Sequence, residues 1–322
     1  MHGIDEALHR RMRDVKERIA DSYLGRNGVT GIGVGLKLKD GRQTGTLAIF
    51  FCVRRKGRVA AGLMLPSEIE GFPTDVLEAD FGRDPFETLP QADDSAMVDR
   101  GRYITLKGGI SIAPSRLSNG RGTLGLLVSD AATGNAMMLS NAHVLALSDG
   151  RAAVGDEICQ EARVDNSLGW CGNCATLSRW AIANVVIGGA NVGVDAGVAR
   201  ISTILRRTAM RTIVDIGVVN AQPGEAALLG AASKRGASTG LTQGTVGSVT
   251  LDAVKASGFV MRNQIRIDPP QGGVFAASGD SGSVCVAVQN NQNRVIGLIW
   301  GALGYGVASP IDAVLQKMAV HL

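Results

Sequence analysis

Ser278-Gly279-Asp280-Ser281-Gly282-Ser283, running into the apolar Val284-Cys285-Val286, is the stretch around which the rest of the 322-residue chain is organised. A serine hydroxyl is a weak nucleophile at its own pKa and needs a base beside it. Glycine on either side lets the backbone turn tightly and brings main-chain N–H groups close to an approaching carbonyl. The Gly279 and Ser281 amides are therefore candidates for an oxyanion hole, with Ser281 as the candidate nucleophile. The competing reading is a glycine-rich turn before a strand. What else the chain supplies decides between them.

Composition narrows the field. Hydrophobic residues make up 45% and charged residues 19%, as in a globular protein that buries a sizeable core. Forty-three glycines fall in short clusters between apolar runs, which suits many short strands joined by tight turns. Aromatics are only 4%, too few for base stacking to dominate nucleic-acid binding. The net charge of +4 is spread among interspersed acids and bases, so neither a nucleic-acid nor a membrane partner is expected. The N-terminus lacks the apolar core of a signal peptide and no window is apolar enough to span a bilayer, so the expected location is cytoplasmic, unless the chain is the trimmed form of a secreted protein. Cys52, Cys159, Cys171, Cys174 and Cys285 are odd in number, which fits reduced thiols better than a disulfide framework. Cys159, Cys171 and Cys174 have zinc-like spacing, but no fourth cysteine or histidine lies nearby, so neither a metal nor a cofactor is expected.

Taken in order, residues 4–23 show helical periodicity in Ile4, Leu8, Met12, Val15, Ile19 and Tyr23. Strand-like runs at 31–39 and 44–54 flank Asp40-Gly41, a hairpin signal. Gly31-Ile32-Gly33-Val34-Gly35 lacks the spacing of a dinucleotide loop and is followed by a second strand, not a helix. Residues 1–80 thus read as a helix plus a small α+β domain, and the polar 81–100 as a linker. From 101 onward short β-rich runs separated by turns suggest a barrel or sandwich, closed by a C-terminal helix that starts at Ser309-Pro310 with the serine as N-cap.

Of four histidines, His143 alone lies in the β-rich region, at a strand-to-turn junction in Leu139-Ser140-Asn141-Ala142-His143-Val144. Asp195, in Gly193-Val194-Asp195-Ala196-Gly197, stands among apolar residues where a carboxylate needs a fixed partner; Asp215, in Ile213-Val214-Asp215-Ile216, has similar flanks. The three segments around His143, Asp195 and Ser281 resemble, in that order, the signature segments of the chymotrypsin/trypsin-like serine proteases, and the resemblance covers roughly 101–320 and favours Asp195 over Asp215. Lys234-Arg235-Gly236-Ala237-Ser238-Thr239-Gly240 and the run from Leu65-Pro66 to Asp75-Val76 are similar to bacterial trypsin-like proteins and the plant Narrow Leaf 1 group.

The resemblance implies a mainly β fold, with a double β-barrel chymotrypsin-like protease domain at 101–322 preceded by the N-terminal helix and small α+β domain. It implies a serine endopeptidase acting on a protein or peptide, with His143, Asp195 and Ser281 as the triad and Gly279 and Ser281 as the oxyanion hole. Ile299-Trp300-Gly301 resembles the strand that pairs with substrate, and Phe275 stands at the position of the pocket base, suggesting an apolar or small side chain in the substrate. Asp280, which in zymogens meets a new N-terminus, is expected to find an internal partner here. A homo-oligomer is implied by the N-terminal part of the relatives. The competing class is a latent or non-hydrolytic scaffold that binds peptides or partners.

Overall fold

The computed structural model describes residues 4–39, 42–57, 63–81, 99, 101–202 and 208–322. The Asp40-Gly41 turn and nearly all of the 81–100 linker lie outside the described residues. The architecture is mainly β. Six strands close on themselves: Ala231–Gly236, Val284–Gln289, Gln292–Ala302, Gly306–Pro310, Val260–Asp268 and Gly240–Val254, the last pairing back to the first. An eight-stranded sheet carries, among others, Leu126–Asp130, Ala136–Ser140, Ala190–Ile201 and Asn173–Ile187.

Strand alternation divides the cores. Along Leu126–Asp130 and Ala136–Ser140, Leu127 and Met138 pack with Ile112, Val144 and Leu177 inside the eight-stranded sheet, whereas Leu126 and Leu139 turn the other way to meet Val284, Leu298 and the C-terminal helix. The six-stranded barrel is filled by Val246, Ile265, Ile267, Phe275, Cys285, Ile296 and Ile299.

The N-terminal helix spans Glu6–Tyr23, capped by the Asp5 carboxylate, which accepts from the Ala7 and Leu8 N–H groups. It buries Met12, Val15 and Ala20 against Val29–Lys39 and Arg42–Val53. Those two strands form the expected antiparallel pair, and Phe72–Glu78 joins Arg42–Val53 in parallel. Val29–Lys39 also pairs with Gly240–Val254, so the N-terminal sheet extends the barrel's own sheet outward. That contact explains the glycine at 35, where a Cβ would lie 2.1 Å from the Gly247 oxygen; at Gly33 a Cβ would lie 2.5 Å from the Phe50 ring of Arg42–Val53.

Asn173–Ile187 is a 15-residue strand with little local signal: its second half alternates half-buried with exposed residues and offers no strong apolar run. Two expectations need correction. The C-terminal helix is Ile311–Met318 with Pro310 as N-cap, because the Ser309 hydroxyl is drawn instead to Gln264 Oε1 at 3.1 Å. The thiols are not all reduced: Cys159 and Cys171 form a disulfide, leaving Cys52, Cys174 and Cys285 free and buried. The disulfide also removes two of the three thiolates a zinc site there would need.

A thiol count tests this. Burial pushes the Cys52 thiol up to about 12, and raises Cys285 too. Native protein is expected to resist alkylation, denatured unreduced protein to take up three adducts, and reduced protein five, as read by intact mass. Five adducts without reductant would refute the disulfide.

Candidate active site

His143 sits on a one-turn helix, Ala142–Leu145, directly after the strand Ala136–Ser140. The register sets Gly197 opposite Ser140, so Asp195, two residues earlier on its strand, lies just beyond the strand end where the chain turns to His143. The contacts then lock. Asn141 Nδ2 donates to the Asp195 carbonyl at 2.7 Å and the His143 N–H donates to Asp195 Oδ1 at 3.2 Å. His143 Nδ1 lies 2.7 Å from Asp195 Oδ2. An ionised carboxylate only accepts, so Nδ1 carries the proton and Nε2 is the acceptor of the neutral ring. Asp195 is fully buried and His143 is 2% exposed. Burial opposes ionisation of Asp195, but His143 and Lys255 beside it more than offset this and hold its carboxyl well below the usual carboxylate range.

Asp215 is elsewhere: its φ is +61° in the turn after Thr208–Ile213, and its half-exposed carboxylate lies 3.4 Å from Arg235 Nε.

The Ser281 loop abuts the same strand end. A Cβ on Gly282 would lie 2.1 Å from Ser140 Oγ, an approach that only glycine, at φ +94°, allows. The Thr123 N–H donates to the Ser281 carbonyl and its Oγ1 to the Gly279 carbonyl, each at 2.8 Å. On the other side the Gly282 N–H donates to the Ile299 carbonyl and the Ile299 N–H to the Ser283 carbonyl. With its carbonyls so held, the loop has no hydrogen bond from the Gly279 or Ser281 N–H to any described residue, and Ser281 Oγ, 1% exposed as a residue, likewise has none.

Asp280 has the internal partner expected of it. Its carboxylate accepts from the N–H groups of Ser238, Thr239 and Ala277 and from Thr239 Oγ1, and pairs with Lys234 Nζ at 3.1 Å, both side chains fully buried. Lys234 opens the segment Lys234–Gly240, and nothing in the sequence joins it to Asp280.

The substrate-strand residues divide. Trp300 and Gly301 line a cleft of about 660 Å³ together with His143, Lys255 and Ser278, and Glu78, which ends the strand Phe72–Glu78, and Phe81 just after it are also in its lining. Ile299 and Phe275 are fully buried and do not line it. The Phe275 ring occupies the room left by two glycines: a Cβ on Gly306 would fall 2.6 Å from it and one on Gly244 2.9 Å from it. Phe275 is thus core rather than a pocket floor. Gln264 steadies the strand, accepting from Trp300 Nε1 at 2.7 Å and donating from Nε2 to the Gly193 carbonyl at 3.0 Å.

Lys255 is the residue the sequence did not reveal. It follows Gly240–Val254 in an ordinary turn, yet its ammonium bonds Asp195 Oδ2 and lies 4.9 Å from the Trp300 ring centroid. Among the described residues no group of three or more His, Cys, Asp or Glu side chains is placed to hold a metal ion.

The solved structures similar to this chain are chymotrypsin-like serine proteases. Thermobifida fusca protease A shares 19% identity over 68% of this chain and 98% of its own, with a TM-score of 0.46. Nocardiopsis protease shares 16% over 68% and 98%, TM-score 0.46, and Cellulomonas bogoriensis chymotrypsin 16% over 68% and 98%, TM-score 0.44. More narrowly, the family model of the Nal1 C-terminal domain matches residues 182–308, a span that includes Asp195 and Ser281 and begins after His143. No curated protein matches the chain. These likenesses agree with the resemblance read from the sequence to trypsin-like proteins and the Narrow Leaf 1 group.

Proposed function

We propose that the protein is a serine endopeptidase working through an acyl-enzyme. The observation that carries this reading is the buried 2.7 Å contact between His143 Nδ1 and Asp195 Oδ2, with the Ser281 loop packed against the same strand end. In this mechanism His143 Nε2 takes the Ser281 proton as Oγ attacks the scissile carbonyl, then gives it to the leaving amine. Asp195 holds the ring in the required tautomer and stabilises the imidazolium. The Gly279 and Ser281 N–H groups receive the oxyanion. The substrate backbone lies along Trp300 and Gly301, under the wall built by Glu78 and Phe81.

Burial of Ser281 Oγ favours one second reading, a latent peptidase or a scaffold whose nucleophile is shut from substrate. Labelling with a fluorophosphonate separates the two. The expected result is one adduct on wild type, lost in Ser281→Ala and reduced by at least about a thousandfold in His143→Ala. Unlabelled wild type would favour the scaffold.

Two further placements belong with this proposal. Assembly as a homo-oligomer is expected through the N-terminal part. A cytoplasmic location is consistent with three free thiols, while the Cys159–Cys171 disulfide weighs toward an oxidising compartment. Among the described residues no helix is long and apolar enough to cross a membrane.

A further inference from the structure

We infer that Lys255 is a cationic brake on the His143–Asp195 pair, relieved when an acidic side chain of the substrate pairs with it; the inference rests on the peptidase reading above. One carboxylate oxygen, Asp195 Oδ2, serves two cation-capable nitrogens, His143 Nδ1 and Lys255 Nζ. The acid is fully buried and the Lys255 side chain is 15% exposed, so water screens the trio poorly. In the resting site this is balanced: a neutral imidazole, a carboxylate and an ammonium.

During acyl transfer His143 gains the Ser281 proton, and the same carboxylate must then stabilise a second positive charge. Because both nitrogens contact one oxygen, they are no more than about 5 Å apart, close enough for like charges to repel appreciably at a buried site. The ammonium therefore raises the energy of the charged intermediate relative to the resting state. It opposes catalysis electrostatically while fixing the acid in place.

The position of Lys255 gives the brake a release. It lines the cleft beside Trp300, where substrate is expected. A substrate carboxylate paired with the ammonium would neutralise it, leaving Asp195 to the imidazolium. The acids already in the cleft wall are engaged otherwise: Glu78 accepts from the Lys56 N–H at 3.1 Å, and Asp80 lies 4.0 Å from Arg54 Nε. The substrate class implied is a peptide with an acidic residue near the scissile bond. Lys255 is a positioning residue, acting on the reaction through Asp195.

The test uses peptidyl phosphonate probes that differ by one Glu-for-Gln exchange, scanned through successive positions. Wild type is expected to label about fivefold or more faster with Glu at one position. Lys255→Met is expected to label about tenfold faster than wild type with the Gln probe and to lose the Glu preference. Lys255→Arg, which keeps the charge, should behave as wild type. Lys255→Met labelling at or below the wild-type rate, or keeping the Glu preference, overturns the inference.

A second readout needs no turnover. In a Ser281→Ala background, the far-downfield proton of the His143–Asp195 hydrogen bond should shift on Lys255→Met and stay in place on Lys255→Arg. An unmoved signal refutes the brake. Absence of labelling in every form, with the signal still shifting, would refute the peptidase reading and leave the electrostatic coupling standing.

Discussion

Lys234→Met is expected to slow fluorophosphonate labelling by about a hundred- to a thousandfold, the size of effect seen when an oxyanion donor is lost. Lys234 touches neither Ser281 nor His143. It neutralises Asp280, and the Asp280 carboxylate fixes the loop that presents the Gly279 N–H. Burial lowers the Lys234 pKa and the Asp280 charge partly restores it, so the pair is sustained by mutual contact. Taking away one partner leaves a carboxylate buried without its cation, a change that typically costs about 3–5 kcal/mol. The double variant Lys234→Met/Asp280→Asn separates stability from chemistry. Removing the stranded charge should return part of the lost stability in urea unfolding, the rest staying lost with the donors left unpaired. Labelling should remain at least tenfold down, because one amide oxygen cannot serve the four donors that now converge on two carboxylate oxygens. Wild-type labelling in a folded Lys234→Met would show that backbone amides alone suffice to hold Asp280.

What could be read in advance was whatever local chemistry dictates. A carboxylate amid Val194, Ala196 and Val198 demands a partner, but Asp215 has similar flanks and only the family resemblance favours Asp195; the N-terminal helix was legible because its apolar spacing is regular. The strand nature of Gly31–Gly35 followed from the strand-like runs flanking Asp40-Gly41, the glycine spacing serving only to exclude a dinucleotide loop; the reason for the glycines, close approach to Gly247 and Phe50, is a matter of tertiary contact. Other features depend on distant pairings that leave no local trace. Lys255 sits in a polar turn of no special composition, and only the fold brings it 60 residues back to Asp195. Ser309 has every mark of an N-cap, yet Gln264 outcompetes the helix for its hydroxyl. Phe275 sits at the expected sequence distance from Ser281, but whether a ring lines a pocket or fills it depends on Gly244 and Gly306. The disulfide was hidden by parity, since five cysteines accommodate one bridge and three thiols as readily as five thiols.

A stability effect of the same size is expected at Asp252, on the strand Gly240–Val254. Its fully buried carboxylate binds Lys16 Nζ of the N-terminal helix at 2.7 Å and Arg262 Nη1 at 2.9 Å, and accepts from the Asn263 N–H at 2.9 Å. The Lys16 side chain is also fully buried. Asp252→Ala leaves each of two cations with a single exposed acid: Arg262 keeps Asp21, and the fully buried Lys16 keeps Glu17 at 3.0 Å. A loss of about 3–5 kcal/mol in urea unfolding is expected. Lys16→Met should cost less, since Asp252 retains Arg262 and the methionine stem still packs. The helix's apolar face competes as the main anchor, because truncating Met12 to alanine would itself remove about 2–5 kcal/mol. The order of the two effects is nevertheless set by what remains behind. A methionine cavity leaves nothing charged, while the Asp252 truncation leaves a buried ammonium facing the strand that leads to Lys255. Asp252→Ala should therefore also speed labelling with an uncharged probe, by loosening Lys255 from Asp195, where Met12→Ala should not. Equal labelling in the two variants, at matched occupancy of the folded state, would mean that the N-terminal helix stabilises the barrel without reaching the site.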